Sequence, residues 1–374
     1  MQRQSYINEI LIQFEIHKAC GLLGPRQCGK TTLAKEFCHL YAVPLQNYFD
    51  LENPIDLDRL TNPILALEKL EGFVVIDEIQ RRPDLFPVLR YIIDNFNLKF
   101  LILGSASREL IKQSSETLAG RIGYIEVTPF SLRETGELDL LWLRGGFPLS
   151  YLAKNDGLSF EWRRQYAQTF LERDVFNLGF SVPPTQLRRF WLMLAHYHGQ
   201  IFNASEIGQS LGISYHTVQN YLGIMEGAFM IRVLQPWYEN LKKRQVKSPK
   251  IYFRDSGIYH YLMNFRYYTD LYTSPKIGAS WEGFALEETI RYFSVAKEDC
   301  YFWSSHNKAE IDLIIFKDGK RIGIEFKYAD APTKPRTIDQ TIQDLKLDEV
   351  KLIYPGNKRY PIADNIEVCG LQEF

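Results

Sequence analysis

The segment Gly24-Pro25-Arg26-Gln27-Cys28-Gly29-Lys30-Thr31 constrains the fold more than any other stretch, because it completes the spacing G-x-x-x-x-G-K-[ST]. An apolar run at 19–23 leads into it, and a helical pattern opening Thr31-Thr32-Leu33-Ala34-Lys35 leads out. A strand that turns directly into a helix needs glycines at the turn, so that backbone N–H groups can curl around an anion. The helix N-terminus adds the positive end of its dipole. Gly24, Pro25, Arg26, Gln27, Cys28, Gly29, Lys30, Thr31 and Thr32 are therefore expected to cradle phosphates. Lys30 would reach the terminal phosphates as a point charge, and the Thr31 hydroxyl would face Mg²⁺. A chance glycine-rich turn is the competing reading, and both flanking elements argue against it.

A second element ends in acid. Phe73-Val74-Val75-Ile76-Asp77-Glu78 reads as a buried strand that delivers two carboxylates to its C-terminal edge, where α/β sheets bind ligands. Asp77 is expected to hold Mg²⁺, and Glu78 to polarise an attacking water. Further apolar runs at 45–51, 100–104 and 125–128 alternate with helical patterns at 30–41, 53–70, 84–95 and 107–118. That alternation predicts a parallel sheet with helices on both faces. Between the two motifs lies a strand–helix unit, as in ATP hydrolases of the AAA+ and related classes and unlike adenylate-type kinases. Ser105, just beyond the run 100–104, is placed to sense a terminal phosphate, although a serine after glycine is also a common turn residue. Arg121 is the leading candidate for an arginine that stabilises transition-state charge, with Arg108 and Arg26 behind it, and a plain surface arginine fits as well.

These residues carry a resemblance. Gly24-Pro25-Arg26-Gln27, Asp77-Glu78-Ile79-Gln80 with Pro83, Gly104-Ser105, Leu118-Ala119-Gly120-Arg121, Pro129-Phe130-Ser131 and Lys250-Ile251-Tyr252-Phe253-Arg254-Asp255-Ser256-Gly257 look like a prokaryotic AAA+-like ATPase family. The family has a C-terminal region of uncharacterised function, and the resemblance runs over essentially the whole chain. It implies binding of ATP with Mg²⁺ and says little about biological role. Cys28 departs from the small aliphatic residue usual there; a packed thiol is one reading, an oxidation-sensitive loop the other.

The middle of the chain reads as a helix-turn-helix. Ala204 to Leu211 forms one helix, Gly212-Ile213-Ser214 the turn, and 215–225 the second helix, capped by Ser214. Ile207, Leu211, Ile213, Val218 and Leu222 would lock the pair, leaving Tyr215, His216, Gln219 and Asn220 on a polar face able to touch DNA. Strand-like runs at 229–234 and 250–253 enclose Lys242-Lys243-Arg244 and Lys247, a basic wing. Residues 181–260 hold nine Lys+Arg against four Asp+Glu, an excess of five, whereas 1–150 hold sixteen against nineteen. The whole chain sums to −1, which excludes a globally basic coat protein but not a local nucleic-acid footprint. Packing or protein docking is the alternative use of such a module.

Near the C-terminus, Asp312 precedes a Lys317-Asp318-Gly319-Lys320 hairpin turn and then Glu325-Phe326-Lys327. Glu325 and Lys327 share one strand face, and Asp312 lies on the neighbouring strand. The pattern resembles the PD-(D/E)XK nuclease fold, with Glu282 on the preceding helix as a fourth member. It implies a metal held by Asp312 and Glu325, although the motif's proline is missing because Ile311 precedes Asp312.

The expected architecture is α/β. A P-loop NTPase parallel-sheet domain (1–150) is followed by a helical linker (151–185), a winged-helix domain (186–270) and a small α+β nuclease-like domain (275–374). Five cysteines without C-x-x-C spacing argue neither a disulfide framework nor a zinc site, and no apolar run is long enough for a membrane, so a cytoplasmic protein is expected. Two functions fit: an ATPase whose nucleotide state controls a C-terminal half acting on DNA, or a slow nucleotide switch that docks an unknown protein partner and carries a non-cleaving C-terminal site. Oligomeric state is not legible.

Overall fold

In the computed structural model, which describes residues 3–105, 116–177, 180, 182–239, 245–305 and 309–374, the chain forms two compact units. The first is Met1–Pro129 with Gly227–Phe229, the second Phe130–Glu226 with Met230–Phe374. Most of the expected helix 107–118, with Arg108, and the basic triplet Lys242, Lys243 and Arg244 lie outside the described residues.

The first unit is built on five strands, β1 (Ala19–Gly24), β2 (Tyr48–Asp50), β3 (Gly72–Asp77), β4 (Leu98–Ser105) and β5 (Ile122–Glu126). They pair in the order β2-β3-β4-β1-β5, all parallel. Strand side chains alternate between two cores. Val74, Ile76, Phe100 and Ile102 pack with Leu85, Leu89 and Ile92 of the helix Leu85–Asn95. Val75, Leu101 and Leu103 pack with Leu33, Ala34 and Phe37 of the helix Lys30–Leu40 and with Ile7, Ile10 and Phe14 of Gln4–Ile16. A sheet covered on both faces needs apolar residues at every position, which is why the runs read as continuous. This is the P-loop NTPase parallel sheet.

Two local expectations shift. The run at 45–51 opens as a 3₁₀ turn, Leu45–Asn47, and only Tyr48–Asp50 is strand. The buried Asn47 amide donates to the carbonyls of Glu71 and Phe73, each at 2.9 Å, and so ends the ladder early. The helical pattern at 53–70 becomes two short helices, Pro54–Arg59 and Pro63–Leu67, each started by an asparagine cap and a first-turn proline. Proline is tolerated at a helix start and breaks an interior, so Pro63 forces the split.

The second unit carries a nine-stranded sheet: β6 (Gln200–Ile201), β7 (Ile231–Pro236), β8 (Lys250–Phe253), β9 (Cys300–Ser304), β10 (Glu310–Lys317), β11 (Lys320–Phe326), β12 (Glu349–Tyr354), β13 (Arg359–Ala363) and β14 (Ile366–Gly370). Their order is β13-β14-β12-β11-β10-β9-β7-β8-β6. Strand β7 joins the two ends, antiparallel to β8 and parallel to β9 through Gln235↔Tyr301 and Pro236↔Phe302. The sequence boundary at 270–275 thus falls inside one unit and one sheet.

The paired helices form as read, Ala204–Leu211 and Tyr215–Gly227. Gly212 ends the first with φ +68°, a left-handed backbone that favours glycine, and the Ser214 hydroxyl accepts from Thr217 N–H at 3.1 Å. Ile207, Val218 and Leu222 are buried between them, while Tyr215, His216, Gln219 and Asn220 are exposed.

Charge is also buried here. Glu287, on the helix Ile277–Phe293, receives Arg232 Nε at 2.5 Å and Nη2 at 2.9 Å, with Arg254 Nε at 3.5 Å. Burial would raise its carboxyl, but the two guanidiniums pull it down to about 2. A depressed folded-state value stabilises the protein above the ordinary carboxylate range and loses that contribution as pH falls toward 2. Glu287→Gln should therefore cost roughly 3–5 kcal/mol at pH 7, because two buried cations lose their partner. The deficit, read from urea unfolding of both proteins, should shrink in acid; an equal deficit at pH 7 and pH 3 would contradict the pairing.

Candidate nucleotide site and C-terminal carboxylate cluster

Parallel register sets the first site. Strands β1 and β3 flank β4, so Gly24 at the end of β1 and Asp77 at the end of β3 reach the same sheet edge. The loop between Gly24 and Lys30 is held open by backbone. Gln27 and Gly29 both have positive φ, +62° and +101°, and a Cβ on Gly24 would collide with the carbonyl oxygen of Val127. The Lys30 ammonium is folded inward onto the carbonyls of Gly24 and Pro25, at 2.9 Å each. A successive run of turned N–H groups ending on a helix, with a lysine over it, fits a phosphate chain.

Asp77 is buried beside the loop. Its Oδ2 accepts from Tyr48 O–H at 2.8 Å, its Oδ1 from Glu78 N–H at 3.0 Å, and the Thr31 hydroxyl bonds the same carboxylate. Burial raises the Asp77 carboxyl, and the hydrogen bonds from Tyr48 and Thr31 draw it part of the way back. Burial likewise raises Glu78, with Gln80 and Lys30 pulling against it. Glu78 has φ +59°, and its carboxylate accepts from the Gln80 side chain. Lys30, Thr31, Asp77 and Glu78 are thus brought together, and the set fits Mg²⁺ with nucleotide.

The other residues divide. Ser105 ends β4 opposite Gly24, at the same edge, but its side chain lies outside the described residues. Arg26 pairs with Glu52 at 3.4 Å. Cys28 is packed: it is fully buried with Sγ against the Val127 carbonyl at 3.3 Å. Arg121, the candidate for an arginine that stabilises transition-state charge, lies away from the loop of its own chain. Ala19 N–H donates to Arg121 O at 3.0 Å, which sets this arginine at the opposite end of β1 from Gly24. Five strand residues at about 3.3 Å each separate the two by roughly 16 Å. Its guanidinium is clasped by Asp94 at 2.6 and 2.9 Å.

Sequence reading missed two supports. Arg3, buried beside the loop, donates to Cys28 O at 3.3 Å and Thr128 O at 2.9 Å. Tyr48 orients Asp77 from the neighbouring strand β2. Neither belongs to a local motif, and only the register of β2 on β3 signals Tyr48.

The second unit gathers all four expected C-terminal residues. Glu282 from the helix Ile277–Phe293, Asp312 from β10, and Glu325 at the end of β11 with Lys327 just beyond it converge with Glu310, Lys250 and Tyr252. Lys327 Nζ meets Glu325 Oε2 at 2.6 Å, and Asp312 Oδ2 accepts from Phe326 N–H at 3.0 Å. Burial, then the Asp312 charge, raises the Glu282 and Glu325 carboxyls above the ordinary carboxylate range. Among the described residues no group of three or more His, Cys, Asp or Glu is disposed to hold a metal ion.

Pairing in the same unit redistributes the charge of residues 181–260 without removing their excess, because two of the four acids there are also met from outside, Glu226 by Lys297 and Glu239 by Arg321. Three of the nine cations in 181–260 are neutralised from outside that window: Lys250 by Glu282, Glu310 and Asp312, and Arg232 and Arg254 by Glu287. Arg188, Arg189 and Lys247 remain exposed. No helix among the described residues is long and apolar enough to cross a membrane.

Fold and loop together define a P-loop NTPase sheet, and an AAA domain model matches residues 17–136. Two domains of unknown function, DUF8612 and DUF4143, match residues 135–269 and 277–374. The chain belongs to the family of the uncharacterized protein Rv2008c of Mycobacterium tuberculosis, to which it is 43% identical over 357 residues, 94% of this chain and 80% of that one. The uncharacterized protein MJ1544 of Methanocaldococcus jannaschii is 23% identical over 387 residues, covering 92% of this chain and 83% of its own. Among solved structures, a Walker-type ATPase of Pyrococcus abyssi aligns over 70% of this chain and 95% of its own, at 18% identity and a TM-score of 0.45.

Tyr48→Phe removes a donor that favours the ionised Asp77. The carboxyl should then titrate higher, and the acid limb of ATP hydrolysis against pH should move to higher pH with the fold intact. An unchanged limb would remove Tyr48 from the site.

Proposed function

We propose that the protein hydrolyses ATP at the loop of the first unit, and that its nucleotide state governs how the second unit engages DNA. The observation that carries the ATPase reading is the convergence of Lys30, Thr31, Asp77 and Glu78 at one sheet edge. Thr31 and Asp77 would hold Mg²⁺, which neutralises phosphate charge when bound. Lys30, released from the carbonyls of Gly24 and Pro25, would bind the terminal phosphates. Glu78 would accept the proton of the attacking water, and its burial makes it a better base than an exposed carboxylate. Ser105 is kept as a phosphate-sensing candidate on its position opposite Gly24.

The DNA reading is supported by the capped helix pair with Tyr215, His216, Gln219 and Asn220 exposed on its second helix, and by Arg188, Arg189 and Lys247. Strands β6 and β7 both pair antiparallel with β8, which supports reading the segment as a winged helix. A nuclease-like reading of the C-terminal segment is supported by Glu282, Asp312, Glu325 and Lys327 in one cluster, with Asp312 and Glu325 as its candidate metal ligands. A second reading, a nucleotide-switched docking module with a non-cleaving cluster, is favoured by the lysines already paired to those carboxylates.

Lys30→Ala should abolish phosphate release. Glu78→Gln should slow it about 10²-fold or more while leaving ATP binding intact. Turnover unaffected by Lys30→Ala would refute the site. Salt-sensitive DNA binding that changes between ATP and ADP supports the first reading; nucleotide-dependent capture of a protein by a chain without DNA affinity supports the second.

A further inference from the structure

Arg3 caps the start of the helix Gln4–Ile16, where its carbonyl accepts from Tyr6 N–H at 3.0 Å and Ile7 N–H at 3.4 Å. Ile7, Ile10 and Phe14 anchor that helix in the core it shares with Leu33, Ala34 and Phe37 of the helix leaving the phosphate loop. The buried Arg3 side chain is thus fixed from behind, and its guanidinium bridges two distant parts of the chain. Nη1 donates to Cys28 O at 3.3 Å and Nη2 to Thr128 O at 2.9 Å. The guanidinium also lies over the Tyr6 ring, 4.5 Å from its centroid. Tyr6 in turn holds Thr128. Thr128 N–H donates to the Tyr6 hydroxyl at 3.1 Å, and Thr128 Oγ1, whose single proton goes to Pro129 O, accepts from that hydroxyl at 3.0 Å.

Cys28 C=O and Gly29 N–H belong to one trans peptide, so they point in opposite directions. A cation bonded to that carbonyl turns the Gly29 N–H away from itself and polarises the peptide, which makes the N–H a stronger donor. We propose that Arg3 is a positioning residue of the phosphate loop, fixing and polarising the Cys28–Gly29 peptide so that Gly29 N–H donates to a nucleotide phosphate. This assignment rests on the nucleotide reading of the loop and adds to it a residue from outside the glycine motif. The loop needs outside support, because Gln27 sits in the left-handed region at φ +62°, a conformation a glutamine adopts only at a cost. Both ends of the fork matter: the bond to Thr128 O keeps the guanidinium plane from turning with the loop, and the bond to Cys28 O orients the peptide. A lysine carries the same charge on one nitrogen without the planar fork, so it cannot replace this arginine.

The test is binding of ADP with Mg²⁺ to the full chain, by calorimetry, with thermal unfolding of the nucleotide-free protein measured beside it. Arg3→Met should weaken ADP binding about tenfold or more, the scale of one lost hydrogen bond to a charged group. Arg3→Lys should fall short of full affinity. Tyr6→Phe removes the ties to Thr128 but keeps a ring under Arg3 and the bond to Cys28 O; it should lower Tm and bind ADP as the unsubstituted protein does. Unweakened binding by Arg3→Met overturns the proposal. So does full affinity in Arg3→Lys, or a loss in Tyr6→Phe as large as that in Arg3→Met, which would make Arg3 one more structural contact. If Arg3→Met does not fold, Arg3→Lys decides by the same comparison. An unsubstituted protein that binds neither ADP nor ATP refutes the nucleotide reading and this assignment with it; equal binding by the unsubstituted protein and its Arg3 variants refutes this assignment alone.

Discussion

Parallel strands bring all their C-terminal ends to one edge of a sheet, and the candidate nucleotide site of this protein depends on that constraint. Gly24 and Asp77 lie 53 residues apart in the chain, yet β4 alone separates their strands. The loop after β1 and the acids after β3 therefore meet without any long-range element to steer them. The same register works against Arg121, which immediately precedes β5 and so stands at the edge away from Gly24. Chain direction, rather than residue type, separates the two outcomes.

The second unit rests on a different economy of charge. Lys250, Arg232 and Arg254 would each be costly to bury alone, and each is met by acids from the helix Ile277–Phe293 or from β10. Those acids lie outside the stretch in which the cations were counted. Three of the cations in that window thus became interior wiring of a sheet that joins the middle of the chain to its end.

Much of the first unit was legible because its signals are local. A strand covered on both faces shows as an unbroken apolar run, and the loop shows as a fixed glycine spacing. The helix-turn-helix was legible for a similar reason, since Gly212 and Ser214 mark its turn chemically. What escaped was non-local or competitive. Asn47 shortened β2 by donating to carbonyls twenty-four and twenty-six residues on, and Tyr48 found Asp77 only because β2 settled beside β3. At the C-terminus the pattern around Asp312, Glu325 and Lys327 was visible, but Glu310 and Lys250 within the same cluster were not.

By itself the sequence determined the phosphate loop, the acid pair after β3, the flanking α/β alternation and the helix pair, because backbone conformation and burial on two faces select those residues within a few positions. Tertiary structure alone decided which charges are free and which are spent. Lys250 reads as one more cation of a basic segment until the fold sets it among three carboxylates, two of them on a strand sixty residues away. Electrostatic pairing acts over ångströms in space and is indifferent to distance along the chain, so a charge count sees the cation and misses its partner.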